Sequence, residues 1–247
     1  ANEMRGRLQN SGFEILGSRL PFIGTFHSLG ARILRKEAHR LGRRPNFVIF
    51  DDRDSFALIK KVAKKISPTD KKKEISRQAR DKEGPTIFAK KVSEIKSTNK
   101  IEPSHTKSCN DKTLKVLQEY ERALKENNAF DFDDLIEKVV WLLKTKPALL
   151  EKYQKKFGAV LVDEYQDLNP MQYELIRLIS GKHKNLSVVG DDEQLIYGWR
   201  YANLQIFLGF ERDWPGARIV LLEENYRSTA NIIRAASAVA KNNKYRR

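Results

Sequence analysis

The chain has 247 residues, and 47 Lys and Arg against 32 Asp and Glu give a formal net charge of +15 at pH 7. That length admits one or two domains with a core of useful size, and 40% hydrophobic residues exclude wholesale disorder. One cysteine, Cys109, excludes an intramolecular disulfide or a cysteine-based zinc site, and His27, His39, His105 and His183 lack metal-ligand spacing; the longest apolar stretches, such as Val139 to Leu143, are far short of the ~20 residues that span a bilayer.

The N-terminal ANEMRGRLQN has no apolar segment of the kind a signal peptide needs. The expectation is a soluble, cytoplasmic, membrane-free protein. Its basic surface points first to nucleic acid, then to acidic membranes or acidic proteins.

Taken in chain order, the first apolar run with a polar end is PFIGTFHS, residues 21–28. Next, SLGARILRKEAHRLG spaces Leu29, Ile33, Leu34, Ala38 and Leu41 as one helical face, with Gly42 as its stop. DDRDSFALIKKVAKKI opens with Asp caps and puts Phe56, Ile59, Val62, Ala63 and Ile66 together. From Lys60 to Lys100, 14 Lys and Arg against 5 Asp and Glu leave a local excess of 14 − 5 = +9, with SPTDKKKE reading as a loop. DKTLKVLQEYERALKENN repeats the helical pattern through Leu114, Leu117, Tyr120 and Leu124. Residues 28–130 therefore read as almost entirely helical. Beyond them come GAVLVDEYQD (158–167), LSVVGDDEQ (186–194) and ARIVLLEENYRS (217–228), each an apolar run with a polar end. Apolar runs alternating with helices predict a parallel sheet covered on both faces. The chain thus reads as an α/β layer, discontinuous in sequence, interrupted by an all-α insertion. No internal repeat interrupts this pattern.

Ligands of open α/β sheets bind beyond the carboxyl ends of the strands. Thr25 to Ser28, Asp163-Glu164, Gly190 to Gln194 and Asn225 to Arg227 are expected to share that edge. Asp163-Glu164 follows AVLV directly. In the one reading the pair holds Mg²⁺ and activates water beside nucleotide phosphates; in the other it is a solvated strand end. Gln194 suits a phosphate oxygen or a water, or belongs to a plain acidic turn. Tyr197, Trp199 and Arg200 suit stacking of unpaired bases, worth ~1–3 kcal/mol per base, although a tryptophan is as readily a core residue. Arg227 suits a transferring phosphoryl group, with Tyr226 beside it. Ser180-Gly181-Lys182-His183 only imitates the end of a phosphate-binding loop. Ile176 stands where its first Gly belongs, and PMQYELIRLISG is a helix with Pro at its start and Gly181 at its end.

In succession, VDEYQDLNPMQ, VVGDDEQLIYGWRYAN and LEENYRSTANI resemble motifs II, III and IV of superfamily 1 DNA helicases of the UvrD/Rep/PcrA type. TFHSLGARILR is similar to motif Ib, ANEMRGRL to the tail of motif Ia, and ENNAFDFDDLI to the motif before the second half of the first RecA-like domain. The resemblance implies a RecA-like P-loop NTPase sheet, incomplete here, interrupted by an all-α insertion domain. Residues 1–27 would be the first part of domain 1A, 28–130 the helical domain 1B, 131–222 the second part of 1A, and 223–247 the start of 2A. It implies ATP-driven movement 3′ to 5′ on single-stranded DNA, acting at junctions of single and double strands. Asp163 would ligate Mg²⁺, Glu164 activate water, Gln194 sense the γ-phosphate, Arg227 contact it and Tyr226 stack on adenine. Thr25, Phe26, His27, Tyr197, Trp199 and Arg200 would face DNA. Glu193, Leu195 and Tyr201 depart from the Asp, Ser and Gly of the family's GDxDQSIYxWRG. The family's phosphate loop precedes motif Ia and its motifs V and VI follow motif IV, so the expectation is a fragment without ATPase activity of its own. The alternative is a non-catalytic DNA-binding or partner-binding module on a degenerate helicase scaffold.

Overall fold

A computed structural model describes residues 21–66, 84–98, 111–191, 194 and 201–240. It is mostly helical with short parallel strands, and it divides into two compact units: residues 1–96 with 101–139, and residues 97–100 with 140–247.

In the first unit, α1 spans Phe26–Glu37. Thr25 caps it, its Oγ1 accepting from the Ser28 N–H at 3.2 Å. Ile33 and Leu34 are buried, and a 3-10 turn, Ala38–Leu41, ends at Gly42 with φ 66°. That left-handed backbone is what the expected glycine stop supplies. The strand expected in residues 21–28 does not form. Pro21 removes a ladder donor, Gly24 weakens the run, and the hydroxyl of Thr25 starts a helix instead.

β1, Val48–Phe50, pairs parallel with β2, Ala129–Asp131. The block expected to be almost entirely helical therefore holds a strand, too short to show a periodicity of its own. The guanidinium of Arg35 lies 3.7 Å from the centre of the Phe47 ring and donates to the carbonyls of Pro45 and Phe47 at 2.6 and 2.7 Å. One side chain thus clamps the entry to β1 onto α1.

α2 (Asp52–Ile66), α3 (Pro85–Thr98) and α4 (Asp111–Glu126) build the core of this unit. Asp51 Oδ1 accepts from the N–H groups of Arg53 and Asp54, as the expected acidic cap should. Ile59, Val62 and Ala63 pack with Phe88, Val92, Val116, Tyr120 and Leu124. Phe56 departs from the expected face, at 38% exposed, and Val116 is fully buried in α4 where Leu117 packs partly buried against the same core.

α5, Asp134–Thr145, follows β2. Its first turn is tied by Asp131 Oδ1, which accepts from the Asp134 N–H at 2.8 Å. Lys96, 1% exposed, reaches this corner from α3. Its Nζ lies 2.7 Å from Asp131 Oδ2, 2.9 Å from Asp134 Oδ1 and 2.7 Å from Glu121 Oε1. Lys138 adds a second ammonium, 2.9 Å from Glu121 and from Glu137. Tyr120 donates its hydroxyl to Asp131 at 2.9 Å. Opposite, Gly30 of α1 lies against the backbone of Leu135: a Cβ there would be 2.0 Å from the Leu135 carbonyl oxygen. Gly30→Ala is therefore expected to lower the unfolding free energy by ~3 kcal/mol through overpacking against a backbone atom that cannot turn away. Denaturant unfolding of the variant beside the parent chain measures it.

In the second unit, α6 (Pro147–Lys156) packs with α7 (Pro170–Ser180) through Leu149, Tyr153, Leu175, Ile176 and Ile179. Asn169 and Gln172 exchange side-chain and backbone hydrogen bonds at 2.9 and 3.0 Å, Pro170 opens α7, and the Gly181 N–H closes it on the Arg177 carbonyl. The reading of 170–181 as a helix with those ends holds. β3 (Val160–Val162) and β4 (Leu186–Val188) pair in parallel. The short helices α8 (Leu204–Leu208) and α9 (Phe210–Asp213) follow, and α8 contacts the 3-10 turn Tyr165–Asp167. α10 spans Ala230–Ala240.

Two expectations for this sheet are corrected. Residues 217–229 form no strand, and Val220, Leu221 and Leu222 are 63%, 76% and 82% exposed. The sheet is also not covered on both faces, since Leu161 is 81% and Val189 55% exposed. An apolar run encodes a surface suited to cover, and among the described residues nothing covers these. No described helix is long and apolar enough to cross a membrane.

Candidate functional site

The carboxyl ends of β3 and β4 carry the polar cluster. Val162 is the last buried residue of β3, and Asp163 and Glu164 emerge beyond it exposed. Asp163 Oδ1 accepts from the Glu164 N–H at 3.0 Å. Glu164 sits at φ 51°, in the left-handed region that a non-glycine residue seldom takes. The pairing continues past the strands: the Val189 N–H donates to the Val162 carbonyl, and the Tyr165 N–H to the Val189 carbonyl, both at 2.9 Å. The two strand ends are thereby fixed beside each other.

Gln166 joins them. It is 1% exposed, donates from Nε2 to Glu164 Oε2 at 2.7 Å, and accepts at Oε1 from the Asp191 N–H at 3.0 Å. Asp191 Oδ2 in turn accepts from Gln194 Nε2 at 2.7 Å. A hydrogen-bonded chain thus runs Glu164, Gln166, Asp191, Gln194. Gly190 leaves room for it, because a Cβ at that position would meet Gln166 Oε1 and the Phe207 ring, each at 2.7 Å. Nearby, Asp167 has a carboxyl oxygen that is buried without a hydrogen-bond partner among the described residues. Burial, and then the charge of Glu164, push its pKa up.

Of the residues singled out in the sequence, Asp163, Glu164 and Gln194 are brought to one edge of one sheet. Tyr226 and Arg227 lie in the second unit but outside that hydrogen-bonded chain. Asn225 Oδ1 accepts from the N–H groups of Arg227 and Ser228 at 3.0 Å, forming a local turn. Tyr226 is 89% exposed and hydrogen-bonded to Glu224. Tyr197, Trp199 and Arg200, with Glu193 and Leu195, lie outside the described residues. Tyr201 is described, at φ 64°. A backbone of that kind is free for glycine and costly for tyrosine, which is why a glycine suits this place in the motif.

Thr25, Phe26 and His27 belong to the first unit. They do not end a strand. They begin α1, and the Thr25 hydroxyl serves as its cap. The His27 ring meets Phe132 edge-on, with centroids 5.7 Å apart, and Phe132 is 44% exposed. Arg32 lies over Phe22 at 5.4 Å. Phe132 was not singled out in the sequence. The available signal is the alternation in AFDFDD, where Phe130 faces the core and Phe132, two residues on, does not continue it. Gln166 was missed as well, since a glutamine between Tyr165 and Asp167 reads as solvated.

The chemistry of the cluster is that of hard oxygen donors. Exposed carboxylates at a strand end, with a side-chain amide on the neighbouring strand end, match what a hydrated divalent cation and a polyphosphate require.

Comparison with known proteins supplies the context. Residues 1–215 match the family model described as UvrD/REP helicase N-terminal domain. The chain is 41% identical over 253 aligned residues to an ATP-dependent DNA helicase PcrA of Staphylococcus epidermidis, and 42% identical to one of Staphylococcus aureus. Each alignment covers 100% of this chain and 33% of the relative, so the chain spans about a third of the length of the curated relatives it matches.

Proposed function

Because the chain belongs to the UvrD/REP helicase family, we propose that it forms part of an ATP-dependent DNA helicase that moves 3′ to 5′ along single-stranded DNA and works at junctions with duplex. The observation that carries this reading is the hydrogen-bonded chain from Glu164 through Gln166 and Asp191 to Gln194 at the ends of β3 and β4. In this reading β3 and β4 belong to a RecA-like sheet, residues 1–27 and 131–222 to domain 1A, 28–130 to the helical domain 1B and 223–247 to the start of 2A. The protein works in the cytoplasm.

Asp163 fits the role of Mg²⁺ ligand, as an exposed carboxylate at the strand end. Mg²⁺, when bound, supplies neutralising charge between phosphate oxygens. Glu164 takes the proton from the attacking water, with its carboxylate held by the Gln166 amide. Gln194 reports on the γ-phosphate from the neighbouring strand end. Tyr226, fully presented to solvent, stacks on adenine, and Arg227 binds the γ-phosphate. The 247 residues contain no G-x-x-x-x-G-K-[ST] sequence, so the backbone cradle for the triphosphate has to come from elsewhere in the protein.

For DNA, the edge-on pair of half-buried His27 and exposed Phe132 supplies an aromatic surface beside the N-terminus of α1, where backbone N–H groups favour phosphate oxygens. Tyr197, Trp199 and Arg200 add base stacking and a cation. The test is binding of a labelled single-stranded oligonucleotide across a salt series. Affinity is expected to fall by orders of magnitude as salt rises from about 50 to 200 mM. Phe132→Ala and Trp199→Ala are each expected to cost ~1–3 kcal/mol at any one salt concentration. Steep salt dependence with both variants silent would mean that the +15 charge binds non-specifically, and the DNA-facing assignment falls.

A further inference from the structure

We propose that Gln166 is a positioning residue that couples the carboxylate of Glu164 to the loop following β4. The inference rests on Glu164 being the group that activates water. Gln166 is buried, and both ends of its amide are used: Nε2 donates to Glu164 and Oε1 accepts from the Asp191 N–H. Only one orientation of the amide satisfies both partners, because the flipped amide sets oxygen against carboxylate and NH₂ against N–H. A shift of either partner therefore breaks the fit at both ends.

The surrounding backbone leaves Gln166 little freedom to compensate. Glu164 is held at φ 51° against its own preference, and the Tyr165 N–H is fixed on Val189. Phe207 and the Cα of Gly190 close the other side, with no space for even a methyl group at position 190. A displacement of residues 190 and 191 is thus passed through one rigid side chain to the Glu164 carboxylate. Gln166 is accordingly the link by which the position of Asp191 reaches the hydrolytic group.

Two variants separate the link from mere packing. Gln166→Met removes both hydrogen bonds at nearly the same volume. Gln166→Glu keeps an acceptor for the Asp191 N–H but sets an oxygen against Glu164. In the whole protein both are expected to lower kcat for ATP hydrolysis by ~10–100-fold with KM for ATP unchanged. Hydrogen exchange in the 247-residue chain gives a second readout that needs no turnover. The Asp191 amide stays protected in Gln166→Glu and loses at least about tenfold of its protection in Gln166→Met. Should Gln166→Met fail to fold, the kcat of Gln166→Glu at unchanged KM alone decides. If both variants keep kcat within about twofold of the parent while Glu164→Gln abolishes turnover, the inference is overturned and the site stands. If Glu164→Gln itself retains turnover, the reading of the site is overturned along with the inference.

Discussion

Replacing Lys96 by Met is expected to destabilise the first unit by ~3–5 kcal/mol, the cost of leaving buried carboxylates without their cation. Lys96 is 1% exposed and lies within 2.9 Å of Asp131, Asp134 and Glu121. Burial works against its ammonium, but the surrounding carboxylates more than offset that and hold its proton well above the ordinary lysine range. Burial, reinforced by Asp134, pushes Asp131 up to about 6. Burial likewise pushes Glu137 up to about 7. Asp134 goes the other way: burial opposes its charge, yet Lys96 and Lys138 hold it down at about 2.

These directions set the pH dependence. Asp131 and Glu137 bind protons more tightly folded than unfolded. Their contribution to stability is complete below their unfolded values of about 4 and is lost as pH rises through about 6 to 7. The contribution of Asp134 is present above its unfolded value of about 4 and is lost as pH falls toward about 2. The parent chain is therefore expected to lose stability between about pH 4 and 7 from this corner. The penalty of Lys96→Met should be largest at the alkaline end, where Asp131 and Glu137 are both ionised, and should shrink below about pH 6. Urea unfolding of both proteins across that range measures it. A penalty independent of pH would show that Lys96 acts by packing alone.

Glu164→Gln is expected to lower kcat for ATP hydrolysis in the whole protein by ~10²–10⁴-fold, the usual contribution of a positioned base. The change keeps the volume of the side chain and an oxygen for Gln166 Nε2, which bonds Glu164 at 2.7 Å. KM for ATP and affinity for single-stranded DNA should hold, because the substitution removes a proton acceptor and no ground-state contact. Steady-state kinetics with and without oligonucleotide separate the two parameters. A large rise in KM with kcat unchanged would make Glu164 a binding residue.

Helices with a clean apolar face were legible from sequence. Ile33 and Leu34 of α1, Ala38 of the 3-10 turn after it, and Ile59, Val62 and Ala63 of α2 are buried as their spacing predicts. So were ends with a stereochemical cause: the left-handed Gly42, and the helix that opens at Pro170 and closes at Gly181. β3 and β4 were legible as apolar runs, and with them the placing of Asp163, Glu164 and Gln194 at one edge. The runs at 21–28 and 217–228 were not strands. Apolarity marks a surface that burial would stabilise, whereas a strand also needs a partner to take its hydrogen bonds. β1 escaped notice because three residues carry no measurable period. Lys96 stands in a segment with a local excess of +9, where lysines read as solvent-facing, and only the long-range approach of Asp131 and Asp134 makes its burial tolerable. Gln166 escaped for a related reason: one of its two partners, Asp191, lies 25 residues on and is brought to it by the pairing of β3 with β4.

In the proposed function, the edge formed by β3 and β4 hydrolyses ATP in response to DNA. ATP turnover by the whole protein, in Mg²⁺, with and without a single-stranded oligonucleotide, tests it most directly. Turnover is expected to be slow without DNA and to rise at least about tenfold when DNA saturates the protein, a rise lost in Glu164→Gln. Turnover that ignores DNA, or that survives Glu164→Gln, contradicts it.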